Sequence, residues 1–491
     1  MCSRTPYVQY MYSYPHKTAY RPLSGVCLRD YGERFEGEGH GLYFHVPFCQ
    51  SKCGYCNLFS VTGVETEGME EYLRAVERQV RQYAGILGEA GTVFSDFTIG
   101  GGTPLLLEER QLEQVFDMAE RYLRFDGDRE IVIETAPNQT TGEKLGILKE
   151  RGVTRLSMGV QSFWDGEMKT LGRSHSPAQA RRALELVKAF DFPCVNVDLI
   201  YGIPGQSVAS LLKSIGEAVE FGPDEIFLYP LYVKHGAGLV RQVRDGLVLD
   251  PERAYEEYRE AAAYLRSRGF RQDSMRRFVR SRGAGDHGEG PGEGLRADIQ
   301  KEETEQCRRE HGGDREFSDC GFKTSLALGC GGRSYAGNLH FCTPYAISRA
   351  GCVAELKAFL ECEDYTDIRH GIFLSEEEQQ RRYVIRHLLI RPGLDRARYE
   401  RRFERDVLKD FPLLSRWLER GFLEERGGDR PRGTDDDGRE SRWLTLTEEG
   451  LGLSDYLGPQ LISSEIRRRM EEWDGIHGEG DGPLSRQSEK L

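Results

Sequence analysis

From residue 41 the chain alternates two hydrophobic patterns. Short, nearly continuous apolar runs give way to longer stretches in which apolar residues recur every three or four positions. The first run, GLYFHVPF, ends at a cysteine-bearing loop. A helical period follows over 69–88, then FTIGG as a strand and a helix over 108–124. The next strands are EIVIETA (130–136), RLSMGVQSF (155–163), CVNVDLIYG (194–202) and EIFLYPLYV (225–233). Helices near 142–151, 177–190, 207–221 and 251–268 separate or follow them. Six strand–helix repeats with unbroken apolar strands predict an α/β fold whose parallel sheet is buried on both faces. Right-handed crossovers curl such a sheet one way, into an open or closed barrel. A doubly wound sheet satisfies the same pattern. The polar residues fall at the C-terminal ends of the strands, the rim where parallel α/β sheets bind ligands.

Outside this region the pattern changes. Residues 1–40 are tyrosine-rich and irregular, and read as an extension or lid. The barrel core is expected over 41–280. Residues 281–316 are charged and poor in apolar side chains, which predicts a disordered insertion. Residues 317–370 close the core and connect it onward. Over 371–470 two helices precede the alternating strand WLTLT (443–447), with the polar stretch RGGDRPRGTDDDGRES (426–441) before it. Helix, helix and polar-tipped hairpin predict a small C-terminal winged-helix-like α+β domain. Residues 471–491 read as a tail.

Composition narrows the function. A net charge of -13 argues against a general nucleic-acid binder, because phosphate neutralisation needs clustered Lys and Arg. No apolar run approaches the length of a membrane span. The twelve cysteines are spread along a chain whose first twenty residues lack an apolar signal core, so a cytoplasmic, reducing setting is expected.

Cys49, Cys53 and Cys56 form C-x3-C-x2-C on the loop after the first strand. Thiolates suit iron–sulfur clusters and zinc. Three thiolates leave one iron of a cubane without a protein ligand, whereas a structural zinc wants a fourth donor. His45 is near in sequence, but its HVPF setting reads as packing. Asp198 lies within the apolar run VNVDLIYG, where a carboxylate is costly without donors.

The segment YFHVPFCQSKCGYC (43–56) resembles the cluster loop of radical S-adenosylmethionine enzymes, and more narrowly the oxygen-independent coproporphyrinogen III oxidase-like family. The likeness continues through TIGGGTP (98–104), IETAPN (133–138), LSMGVQSF (156–163), LGRSH (171–175) and NVDLIYGIPGQ (196–206). It implies a partial (β/α)6 TIM-like barrel. It implies a [4Fe–4S] cluster on Cys49, Cys53 and Cys56, with the open iron taking the amino and carboxylate groups of S-adenosylmethionine. It implies cofactor contacts from Tyr43, Tyr55, Gly100, Gly101, Gly102, Thr103, Glu134, Gln161, Arg173 and Asp198. The implied activity is generation of a 5′-deoxyadenosyl radical acting on a small organic substrate, with a reductant such as flavodoxin or ferredoxin, and no nucleic-acid or membrane partner. No catalytic residue is assigned.

The chain departs from both characterised branches of that family. After Cys56 it reads Asn57-Leu58-Phe59, so the further cysteine that the oxidase carries two residues on is missing. Where the heme-chaperone branch has His-Asn-x-x-Tyr-Trp, it reads CGFKTSLALGCGGRSY (320–335). Coproporphyrinogen oxidation and heme carriage therefore stand as alternatives to a distinct subgroup. Cys320, Cys330, Cys342, Cys352 and Cys362 are candidates for a second metal centre or for small buried hydrophobes. Arg277, Arg280, Arg333 and His340 are candidates to face an anionic substrate, and His16, Lys17 and Arg21 to act as a lid.

Overall fold

The computed structural model describes residues 6–9, 11, 13–233, 237–239, 242, 247–281, 323–427 and 442–478. The predicted insertion beyond residue 281, most of the polar stretch at 426–441 and the end of the tail lie outside the described residues.

Six strands carry the core: β1 (His40–Val46), β2 (Phe94–Gly101), β3 (Phe125–Thr135), β4 (Arg155–Gln161), β5 (Cys194–Tyr201) and β6 (Glu225–Pro230). All five neighbouring pairs are parallel and in chain order. Between them run α1 (Thr66–Glu89), α2 (Glu109–Tyr122), α3 (Gly142–Glu150), α4 (Pro177–Phe190) and α5 (Val208–Glu220), with α6 (Pro251–Ser267) after β6. The predicted alternation is thus the observed one. β3 begins five residues earlier than its apolar run, and the short helix Asp165–Leu171 was not expected.

The local causes are ordinary. Leu42, Phe44, Val46, Ile99, Ile133, Met158, Val197 and Leu228 are buried in one core, which is why their strands read as unbroken apolar runs. At α4, Ser176 and Gln179 satisfy each other's backbone N–H groups (3.3 and 2.8 Å), and Pro177 occupies the first helical position.

The barrel is partial. Ser325–Leu328 adds parallel to β1, and Arg277–Arg280 adds antiparallel to β6. Among the described residues the sheet has thirteen strands, and its end strands, Arg21–Pro22 and Phe270–Gln272, are not paired with each other. The C-terminal region holds its own core, including Val384, Leu388, Leu414, Trp417 and Leu461, around a three-stranded antiparallel sheet of Leu394–Asp395, Arg442–Leu446 and Leu423–Gly427.

The N-terminal extension differs from a loose lid. Met11, Tyr14, Ala19 and Tyr20 are buried within this C-terminal core. Asp455 fastens the seam. Its carboxylate, fully buried, accepts from Arg276 Nη2, from Tyr232 Oη (2.7 Å) and from the Met11 N–H (3.3 Å). Its carbonyl accepts from the N–H groups of Val8 (3.2 Å) and Gln9 (3.3 Å). Removing one partner of a buried, hydrogen-bonded ion pair strands the other. Asp455→Ala is expected to lower stability by roughly 3–5 kcal/mol, read as a fall in the urea midpoint, and to expose the N-terminal extension to limited proteolysis.

Candidate cofactor site at the mouth of the barrel

The cysteine loop leaves the C-terminal end of β1 and is clamped from three sides. Phe48–Cys49 pairs with Val61–Thr62 at the loop's far end. The Gly54 N–H donates to Leu171 C=O (2.9 Å), and Gly54 C=O accepts from the Leu239 N–H (2.7 Å). Below it lies the end of β2, where the Gly102 N–H donates to Val46 C=O (2.7 Å) and the Thr103 N–H to Phe48 C=O (2.8 Å). A Cβ on Gly102 would sit 2.4 Å from Phe48 O and 3.0 Å from Cys49 Sγ. Gly101 has φ +118°, and a Cβ there would lie 2.7 Å from the His45 ring. These glycines are therefore required by the loop itself, whatever ligand they approach.

The three thiols are free. Thr103 Oγ1 donates to Cys49 Sγ (3.7 Å), and Arg173 Nη1 donates to Cys53 Sγ (3.1 Å). Burial pushes the Cys56 thiol up to about 11, and the Cys49 thiol also rises through burial. Such thiols gain most from a cation that takes their proton's place. His45 is not available as a fourth donor. Its Nε2 contacts Phe59 O (3.0 Å), its Nδ1 contacts Tyr43 Oη (3.1 Å), and burial pushes its pKa down to about 3. Among the described residues no three His, Cys, Asp or Glu side chains converge on a single ion. Thiolates that each bind a separate iron of a cubane need not converge so. The donor set fits a cluster held by three protein ligands.

Facing the loop are the strand ends. Glu134 of β3 accepts from the Gly101 N–H (3.1 Å). Solvent reaches its side chain from the mouth, yet protein encloses the carboxyl elsewhere. Desolvation in this recess, opposed by the Gly101 donor and reinforced by Asp198, pushes the carboxyl up to about 7. Asp198 of β5 accepts from Asn196 Nδ2 (2.8 Å), and desolvation pushes it up to about 6. Gln161 ends β4 with φ +73° at a register shift against β5. Arg173, which follows the short helix, also donates to Gly159 C=O (2.7 Å), and its buried Nε has no partner. Tyr55 packs with Leu171, Ile200 and Ile203 beside the cysteines. Asn196 and Ser157 were not anticipated. Asn196 is buried, bonds Ser157 Oγ (3.3 Å) as well as Asp198, and keeps Oδ1 without a partner. Its position two residues before Asp198, hence on the same strand face, was the available signal.

The other expected site residues are held by contacts of their own. Arg277 pairs with Glu225 (Nε–Oε1 3.1 Å) and Asp273 (3.1 Å), and Arg280 donates to Pro223 C=O (3.0 Å) and Val219 C=O (3.3 Å). Both belong to the strand that pairs with the start of β6, at the opposite end of the barrel from the cysteines. Arg333 is buried on Ser13 Oγ (2.7 Å) and Pro15 C=O (3.3 Å). His340 is buried against Tyr335 and faces the C-terminal helices. His16 is buried, Lys17 Nζ donates to Gly331 C=O, and Arg21 donates to Thr18 C=O (2.9 Å) and Arg469 C=O (2.7 Å), so these three tie the extension down. Cys330, Cys352 and Cys362 make separate contacts with Thr343 Oγ1 (3.7 Å), Ala346 C=O (3.4 Å) and Asp364 C=O (3.3 Å). Cys342 is buried, and Cys320 lies outside the described residues.

A parallel partial barrel with a three-cysteine loop at its C-terminal mouth has counterparts among known proteins. The radical SAM superfamily profile matches residues 43–218. The chain is 37% identical over 218 residues to a heme chaperone, HemW, of Mycobacterium tuberculosis, covering 44% of this chain and 55% of that protein. It is 27% identical over 281 residues to the oxygen-independent coproporphyrinogen III oxidase of Escherichia coli, covering 55% of this chain and 61% of that protein. The alignments thus span between half and two thirds of these curated relatives. The structure of coproporphyrinogen III oxidase (HemN) from Escherichia coli superposes with a TM-score of 0.73 at 22% identity, covering 92% of this chain and 96% of that one, which shows a shared fold. Residues 43–218 thus resemble the radical SAM superfamily, and the relatives named are a heme chaperone and a coproporphyrinogen III oxidase. Members of the superfamily bind a [4Fe–4S] cluster and S-adenosylmethionine. Among the described residues no helix is long and apolar enough to cross a membrane.

Two outcomes follow from the geometry. Gly102→Ala drives a methyl into Phe48 O, so the variant is expected to keep its circular dichroism while taking up far less iron and sulfide on anaerobic reconstitution. Glu134 holds its proton more tightly folded than unfolded, so stability of the unloaded protein falls as pH rises from the ordinary value of 4.5 to about 7. Glu134→Gln removes that loss, and its melting temperature should gain on the wild type progressively across this window.

Proposed function

We propose that Cys49, Cys53 and Cys56 hold a [4Fe–4S] cluster and that the recess beside them binds S-adenosylmethionine for radical chemistry on a small organic substrate. The observation that carries this reading is the fixed loop of three free thiols directly above the β2 glycines, with Arg173 donating to one of the thiols. When bound, the cluster and nucleotide supply one-electron cleavage of a sulfonium to a carbon radical.

The chain's own residues provide the setting. Arg173 offers a guanidinium whose Nε is still open, suited to a carboxylate. Glu134, lifted towards neutrality, can accept from an ammonium or donate to a neutral acceptor as its proton state dictates. Asp198 and Gln161 end neighbouring strands and suit vicinal hydroxyls. Asn196 orients Asp198 by its 2.8 Å hydrogen bond. Tyr55, Leu171, Ile200 and Ile203 exclude water on the side away from the glycines.

Anaerobically reconstituted protein with dithionite and S-adenosylmethionine should release 5′-deoxyadenosine, and Cys53→Ala should abolish release. No release from fully loaded protein would overturn the enzymatic reading. The 37% identity to a heme chaperone favours a second reading, a heme carrier that keeps the same pocket. Heme titration separates the two, since a Soret shift at low micromolar heme without 5′-deoxyadenosine release would support the carrier.

A further inference from the structure

The three thiols differ in what surrounds them. Cys53 Sγ receives Arg173 Nη1 at 3.1 Å. Cys56 is approached by the Leu58 N–H, which opposes the rise that burial gives its thiol. Cys49 is the buried one of the three, and Thr103 Oγ1 reaches it only at 3.7 Å, a long contact. Ser60 stands beside it. The residue before, Phe59, meets His45 Nε2 through its C=O (3.0 Å), and the residue after, Val61, donates its N–H to Pro47 C=O (2.7 Å). Val61–Thr62 then pairs in parallel with Phe48–Cys49. Ser60 is therefore held against the same short ladder that carries Cys49.

Ser60 is 1% exposed, and its hydroxyl has no hydrogen-bond partner. A buried hydroxyl in that state is unfavourable, because it gives up hydrogen bonds to water and gains none. Yet it lies near enough to Cys49 to oppose, after Thr103, the upward push that burial gives this thiol. The neighbouring sulfur accounts for the orphaned group. A neutral thiol is a weak acceptor, whereas a thiolate is a charged one, and hydrogen bonds to charged groups are the strong ones. A serine hydroxyl needs only to rotate about its C–O bond to donate.

We propose that Ser60 donates to the Cys49 sulfur once that sulfur is a thiolate ligand, and that it is a positioning residue which sets the reduction potential of the cluster. The inference rests on the reading above that the three cysteines hold a [4Fe–4S] cluster. Hydrogen bonds to the sulfurs are one of the means by which a protein tunes such a potential. An added electron raises the negative charge on the ligand sulfurs, so a donor stabilises the reduced state more than the oxidised one. Ser60 thereby makes the electron from an external one-electron reductant easier to accept. The bond is formed in a buried place, where it is stronger than it would be in water. Arg173 exerts the same influence on Cys53 with a full charge, whereas Ser60 adds none to the site.

The test is a redox titration of the anaerobically reconstituted full chain with dithionite, followed by electron paramagnetic resonance and run without S-adenosylmethionine. Ser60→Ala removes a single oxygen, so the variant is expected to take up as much iron and sulfide as the wild type. Its midpoint should be more negative, with the reduction equilibrium moved several-fold towards the oxidised state, short of the ten-fold that corresponds to about 59 mV for one electron. Exchange into D2O gives a second readout: electron–nuclear double resonance should show an exchangeable-proton coupling in the wild type that Ser60→Ala lacks. An unchanged midpoint or unchanged exchangeable couplings in the loaded variant would overturn the role of Ser60 and leave the cluster reading standing. A folded Ser60→Ala chain that loads less iron than the wild type would also overturn it, because Ser60 would then serve assembly and not potential. Failure of the wild type itself to take up iron and sulfide would overturn the cluster reading, and this inference with it.

Discussion

The close backbone approach between the end of β2 and the cysteine loop is the constraint on which the site rests. Gly102 lies where a single methyl would collide with Phe48 O, and Thr103 N–H bonds that same carbonyl. This contact fixes the height and tilt of the loop above the parallel strands. Once it is fixed, Cys53 comes within reach of Arg173, and Glu134 meets the N–H of Gly101. The thiols are thus positioned by backbone geometry on one side and by a guanidinium on the other. Neither requires the loop to have regular secondary structure.

The recess beside the loop is polar in a way that strand ends alone do not explain. Carboxylates at the ends of β3 and β5 share it; desolvation raises the proton affinity of both, and Asp198 raises that of Glu134 further. Such a pair is tolerated when donors are fixed in place, which Gly101 and Asn196 provide. At the other end of the barrel the charge is neutralised instead. Glu225 receives Arg155 (2.6 Å) and Arg277, closing that end with ion pairs. The asymmetry leaves raised carboxyls at the cysteine end and ion-paired ones at the other.

The chain's two ends meet through Asp455, so the N-terminal extension, the last barrel segment and the C-terminal domain are one packed unit. The same docking brings the helices Glu376–Leu388 and Arg396–Phe403 towards the strand Leu339–Cys342. Arg333 and His340, two register positions apart on paired strands, are divided by it: Arg333 anchors the extension and His340 faces the helices.

Much of this was legible in the residues themselves. The alternation of apolar runs and helical periods determined the parallel core, because strands buried on both faces admit few polar positions. The cysteine spacing and the glycines after Ile99 marked the loop, because both are local in sequence. Gln161, Asp198 and Glu134 stood out as polar residues ending apolar strands. What sequence could not tell was which partner each charge would meet. Arg277, Arg333 and Arg382 are alike as letters, and only tertiary contacts decide that the first meets Glu225, the second Ser13, and the third the Tyr335 ring. Nor could the pattern show that Tyr14 and Tyr20 pack with Leu461, some 440 residues away in the chain. Local periodicity reports which face of an element is buried; which surface buries it depends on loop closure over distances that carry no pattern.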